Sequence, residues 1–135
     1  ELEGNCQPLK QLELTASAVF TKAKDTTYYN FADAPKLMYR PETLYSFAVD
    51  WQPGSFHLWT KYSYTGKQWT TPDNLIDPIS AYDLVDCGIS LLWQKGNWQI
   101  SPALTIKNLG KENYMVHAYV PEPGRTFYAT LQLSR

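Results

Sequence analysis

No stretch of this 135-residue chain approaches the roughly 18 to 20 consecutive apolar residues that a membrane helix needs. A helical membrane protein is therefore excluded. A β-barrel is not, because barrel strands show only alternate residues to lipid. The mean hydropathy of −0.40 leaves a barrel open for the same reason. Cysteine is nearly absent: Cys6 and Cys87 lie far apart with no metal-type spacing. Cys87 falls in the run Val85, Cys87, Ile89, Leu91, Trp93, where it reads as a small apolar filler, so no disulfide and no metal site are expected. Charge of one sign is also missing. A net charge of −1 without any basic run gives no electrostatic case for nucleic acid. There are only two histidines and no nucleophile motif. His57 with Asp50 or Asp86 reads as polar lining rather than an acid–base pair, and neither an enzyme nor a cofactor is expected. Finally, no long window carries a 3.6-residue stripe.

What the chain does have is period-two alternation, the mark of strands with two unlike faces. In 9–24, Leu12, Leu14, Ala16, Ala18 and Phe20 oppose Gln11, Glu13, Thr15, Ser17 and Thr21. In 42–52, Tyr45, Phe47, Val49 and Trp51 oppose Ser46, Ala48 and Asp50. In 55–66, Phe56, Leu58, Tyr62 and Tyr64 oppose Ser55, His57, Lys61 and Ser63. The pattern recurs in 80–94, in 97–108 and in the closing run Arg125–Arg135, where Phe127, Ala129, Leu131 and Leu133 share a face. One all-β domain over 1–135, an antiparallel up-and-down meander of about six strands, is predicted.

The connections narrow the class. Pro53-Gly54 and Gln94–Asn97 are short, whereas 25–40, 67–79 and 109–122 are long. Strict alternation puts the short turns at one end of a meander and the long loops at the other, the rule in outer-membrane barrels. Trp51 and Phe56 bracket one short turn, and Trp93 and Trp98 bracket the other, all on the apolar face. Amphipathic aromatics at that depth suit a membrane–water boundary. The opposite face carries Glu13, Asp50, His57, Lys61, Asp86, Gln99 and Lys107, too polar for a packed core. Val85, Ile89, Leu91, Ile100, Leu104 and Leu131 are expected to face lipid, and Asp86, Gln99 and Thr130 a lumen.

Several segments resemble the C-terminal end of the barrel of TonB-dependent outer-membrane receptors. Pro123-Gly124-Arg125 followed by the alternating run to Arg135 is similar to that family's closing strand. Leu104–Leu109 with Tyr114 is similar to its "V-x-N-L-x-x-x-x-Y" segment, and Ala81–Asp86 resembles the strand opening one hairpin earlier. Glu1-Leu-Glu-Gly4, a short turn and then Leu12–Lys24 resemble a preceding hairpin. The family usually ends in an aromatic residue, where Arg135 stands here.

The resemblance implies the C-terminal segment of a 22-stranded barrel of the plugged outer-membrane transporter type. Its partners would be the rest of the receptor (plug and earlier strands), TonB acting indirectly through the plug, outer-membrane lipid and a small nutrient ligand. That ligand would be of the siderophore-iron, haem or cobalamin class, and the location the outer membrane of a Gram-negative bacterium. The sequence is expected to be a mature chain or a piece of a larger one, with edges at Leu9–Lys24 and Gly124–Arg135 that need neighbours. Candidate ligand-facing loop residues are Tyr28, Tyr29, Phe31 and Tyr39 in the first long loop, Trp69 in the second, and Tyr114, His117 and Tyr119 in the third. A second reading from another class is a soluble secreted β-sandwich that binds carbohydrate through surface aromatics. It requires two three-stranded sheets to meet in a core.

Overall fold

A computed structural model describes residues 1–27 and 34–135. The strands are β1 (Leu2–Leu9), β2 (Leu12–Phe20), β3 (Thr43–Trp51), β4 (Phe56–Thr65), β5 (Tyr82–Leu91), β6 (Trp93–Lys95), β7 (Trp98–Lys107), β8 (Met115–His117), β9 (Val120–Pro121) and β10 (Thr126–Ser134). One antiparallel sheet runs in the order β1-β2-β3-β4-β5-β7-β10, with β6 continuing the line of β5 against β7. The small β8–β9 hairpin stands apart in the last loop. Every step in the main sheet is to the next strand line in sequence, β6 counting with β5 and the β8–β9 hairpin lying outside it. The meander is therefore confirmed, with one more strand line than the sequence predicted.

The extra strand is β1. The reading of one strand over 9–24, exposed at one edge, is corrected: a turn at Lys10-Gln11 splits it, and β2 pairs with β1 on one side and β3 on the other. The edge belongs to β1. Its ladder slips between Cys6 and Leu9, where Gln7 and Pro8 face the single Glu13. Pro8 has no N–H for the ladder, and a bulge on an edge strand is where a proline is tolerated. A second irregularity has a similar cause. The β5–β7 and β6–β7 registers both place Leu91 and Leu92 opposite Ser101 and Pro102. Pro102 offers no N–H, the strand breaks there, and the Leu92 N–H turns to the Ser55 carbonyl (2.8 Å).

Cross-strand partners share a face, so the register tests the alternation directly. Leu12↔Trp51↔Leu58↔Ile89↔Leu104↔Ala129 forms one apolar row, and Val49↔Thr60↔Cys87↔Ile106↔Phe127 another. Glu13↔Asp50 and Lys61↔Asp86 belong to the polar face. The seven strands that form the sheet, β6 aside, are 8 to 10 residues long, close to the ~9 to 11 that cross a bilayer when tilted.

No second layer covers either face among the described residues. Among the described residues, the buried apolar side chains are Ala34 and Ile79, both in loops, while Phe47, Trp51, Leu104 and Leu131 stand open on the sheet. That overturns the β-sandwich, which needs two apolar sheet faces pressed together. Cys6 and Cys87 are free, as their positions on β1 and β5, with three strands between them, require.

Candidate functional site

At the turn end, Gly54 and Gly96 adopt positive φ (65° and 63°), which lets the two tight turns close. Trp51, Phe56, Trp93 and Trp98 flank these turns, roughly half exposed on the apolar face. Lys95 Nζ lies over the Trp93 ring at 6.0 Å, and the Arg135 guanidinium lies over Trp98 at 5.6 Å. Toward the loop end the same face carries a second aromatic group that the sequence reading did not single out. Tyr45 stacks on Tyr64 at 4.5 Å and on Tyr62 at 6.4 Å. Parity alone placed these three on the apolar face; only the register shows that they meet.

The polar face is knitted by side chains from neighbouring strands. The Ser17 and Ser46 hydroxyls bond at 2.9 Å, Asn5 Nδ2 donates to Glu13 (2.6 Å), and His57 Nε2 meets Asp50 Oδ2 at 2.6 Å. Gln52 also donates to Asp50. Trp59 stands on this face across from Gly88. It is an aromatic that the alternation could have revealed and that the sequence reading passed over.

The long loops carry the remaining candidates. The first docks on the second through Asn74, whose Oδ1 accepts the Lys36 N–H (2.6 Å) while its Nδ2 donates to the Lys36 carbonyl (3.0 Å). Asn74 takes positive φ (57°), a conformation Asn tolerates well, just after Pro72-Asp73. Its neighbours Gln68 and Ile79 pair backbone to backbone (3.1 and 2.9 Å) and close the waist of the second loop. The Tyr39 N–H donates to the Trp69 carbonyl (2.8 Å), and the Tyr39 ring lies 5.5 Å from the His117 ring. Lys67 Nζ lies 5.9 Å from the Trp69 ring centre. Thus Tyr39 meets His117 ring to ring and Trp69 through the backbone, which links the three long loops, while the Trp69 indole Nε1 is buried.

The other loop candidates do not join them. Tyr114 packs on Tyr82 at 4.7 Å, low in the last loop. Burial raises its pKa above the ordinary 10.0, with Glu122 adding repulsion. Tyr119 is 88% exposed and projects alone. Tyr28, Tyr29 and Phe31 lie outside the described residues.

The residues of the quoted motifs form the base of that last loop. Asn108, 3% exposed at φ 52°, accepts the Glu112 N–H and donates to the Glu112 carbonyl, both at 2.8 Å. Its own N–H goes to Asp86 Oδ1 (2.8 Å), and the Leu109 N–H goes to the Val85 carbonyl (2.8 Å). Arg125 Nη2 donates to the Leu109 carbonyl, so the Pro-Gly-Arg segment clamps the Asn-Leu segment. A cavity of about 280 Å³ opens beside this base, lined by Asp86, Lys107, Tyr114, Glu122 and Tyr128 among others.

No protein-family model matches the chain, and no curated protein matches it in sequence. Its fold does match solved structures. BauA, the ferric preacinetobactin receptor from Acinetobacter baumannii, superposes with a TM-score of 0.78 at 14% identity, covering 96% of this chain. The siderophore receptor PiuA from the same organism gives a TM-score of 0.73, also at 14% identity and 96% coverage. The chain spans 20% of the length of each. It has the fold of a segment of a siderophore-receptor barrel, and the barrel class expected from its motifs is the class it resembles in three dimensions.

Proposed function

We propose that residues 1–135 form the C-terminal barrel segment of a TonB-dependent outer-membrane receptor, supplying wall and ligand-facing loops. The observation that carries the ligand-binding role is the junction of three long loops at the end opposite the tight turns, where the Tyr39 ring lies 5.5 Å from the His117 ring and the Tyr39 N–H binds the Trp69 carbonyl. Aromatic and imidazole groups gathered this way offer stacking surface and a nitrogen donor to a flat, conjugated or metal-chelating solute. A siderophore–iron complex is the ligand class this favours, in keeping with BauA, a ferric preacinetobactin receptor, and PiuA, a siderophore receptor.

β1 and β10 each present one edge with no partner among the described residues. In hydrocarbon such an edge costs several kcal/mol per unpaired group. Earlier barrel strands on another part of the receptor pair with both edges, and a plug fills the lumen against the polar face. TonB then acts through the plug, and this segment takes no catalytic part. Trp51, Phe56, Trp93 and Trp98 mark the periplasmic boundary of the membrane, and Tyr45, Tyr62 and Tyr64 the outer one.

The test is titration of the complete receptor with a ferric siderophore, read by tryptophan quenching, in the parent and in Tyr39→Ala, Trp69→Ala and His117→Ala. Loss of one stacking contact weakens binding by about 2- to 10-fold per substitution. Unchanged affinity in all three would remove the loop cluster from the ligand site.

A further inference from the structure

The apolar face is not evenly filled. A depression of about 470 Å³ opens on it between Val49, Trp51 and Leu58 on one side and Ile89, Leu104 and Ile106 on the other. That is roughly three times the ~150 Å³ apolar cavity that holds a benzene molecule. Its floor is Thr60 and Cys87, direct cross-strand partners and the smallest side chains in their row, Val49↔Thr60↔Cys87↔Ile106. Thr60 Oγ1 donates to the Asp86 carbonyl (3.2 Å), so the hydroxyl is turned into the sheet and the methyl is left for the groove. The Cys87 thiol is free. Trp51, the last residue of β3, stands at the end of the depression nearest the turns.

We propose that this groove holds one acyl chain of a phospholipid from the leaflet on the turn side, more tightly than the surrounding belt holds its lipids. The inference rests on the membrane reading above. Three features select the occupant. The groove is continuous with the lipid-facing rows, its one hydroxyl is already satisfied, and it begins at an indole of the kind that sits at headgroup level. An apolar chain can fill it without leaving a polar group unpaired, whereas a peptide could not bring its backbone there. Thr60 and Cys87 are specificity-determining residues: larger side chains at either place would close the groove.

The complete receptor, reconstituted in phosphatidylethanolamine and phosphatidylglycerol vesicles and extracted gently, is examined by native mass spectrometry. The parent retains one more phospholipid per receptor than Cys87→Phe or Thr60→Phe, while Leu131→Phe, on the same face outside the groove, retains as much as the parent. A measurement without bulky substitutions accompanies it, in a Cys6→Ser background because Cys6 is also free: Cys87 reacts several-fold more slowly with a lipid-phase maleimide than the thiol of Leu131→Cys in which Cys87 is also replaced by Ser. Equal lipid retention in parent and filled variants, or equal thiol rates, overturns the proposal. So does oxidative cross-linking of Cys87 between two receptors, which makes a second copy the occupant. Flotation with the vesicles separates the two readings: a receptor that floats but shows no difference defeats the groove alone, and one that does not float defeats the membrane reading as well.

Discussion

Trp59 lies flat across Gly88 on the polar face of the sheet, so close that a Cβ built on Gly88 would come within 2.5 Å of the indole nitrogen. The next nearest atoms, at 2.7 and 2.9 Å, belong to the same ring. A rigid bicycle cannot bend away as the tip of a lysine would. The glycine is there because the tryptophan needs its space.

Gly88→Ala should therefore lower barrel stability by about 1–3 kcal/mol, the usual cost of overpacking. In Trp59→Ala/Gly88→Ala most of that loss should disappear relative to Trp59→Ala alone. Heat-modifiable gel migration of the refolded receptor, followed as a double-mutant cycle, reads the coupling. Additive effects would mean that the two side chains do not press on each other.

Asn108 combines a left-handed backbone with two side-chain bonds to Glu112. Asn108→Ala should loosen the base of the last loop by about 2–4 kcal/mol, adding two lost hydrogen bonds to the strain of alanine at positive φ. Asn108→Gly should cost less, since it keeps the backbone and loses only the bonds. Limited proteolysis between 108 and 125 checks the order: parent slowest, Gly intermediate, Ala fastest.

Tyr114 supplies a pH dependence. Its folded-state pKa is raised by burial and by Glu122, so the folded loop favours the neutral phenol. For a group shifted upward, the stabilisation is fully present below the unfolded value of 10.0 and is lost as pH climbs through the folded pKa. Amide protection around 108–122 should stay level at neutral pH and fall in the alkaline range, and Tyr114→Phe should remove the fall. A decline between pH 6 and 8 instead would implicate a different group.

The two faces differ most sharply under charge. Leu104→Arg or Leu131→Arg, on the apolar face near mid-strand, should cost about 2–4 kcal/mol. Thr130→Arg, one residue along and on the polar face, should cost far less. Refolding yield in detergent compared across the three variants tests the register, and equal losses would sink it.

Which residues share a face of the sheet was legible in the sequence because it depends on a local rule. Side chains alternate across a strand whatever it pairs with, so Phe127, Ala129, Leu131 and Leu133 had to share a face before any partner was known. Short and long connections likewise sorted themselves to opposite ends. The tertiary structure decided what local rules cannot reach. Pro102 breaks the β5–β6 line because it lies opposite on a neighbouring strand, and the turn at Lys10-Gln11, beside the Pro8 bulge in β1, divides the predicted first strand. The loop residues show the limit most clearly. Tyr39, Trp69 and His117 were candidates no stronger in sequence than Tyr114 or Tyr119. They meet because Asn74 holds the first loop on the second and because the clamp of Arg125 on Leu109 sets the root of the third. Contacts between residues 30 to 80 apart in the chain follow from how three loops are anchored, and no periodicity within any one of them encodes that.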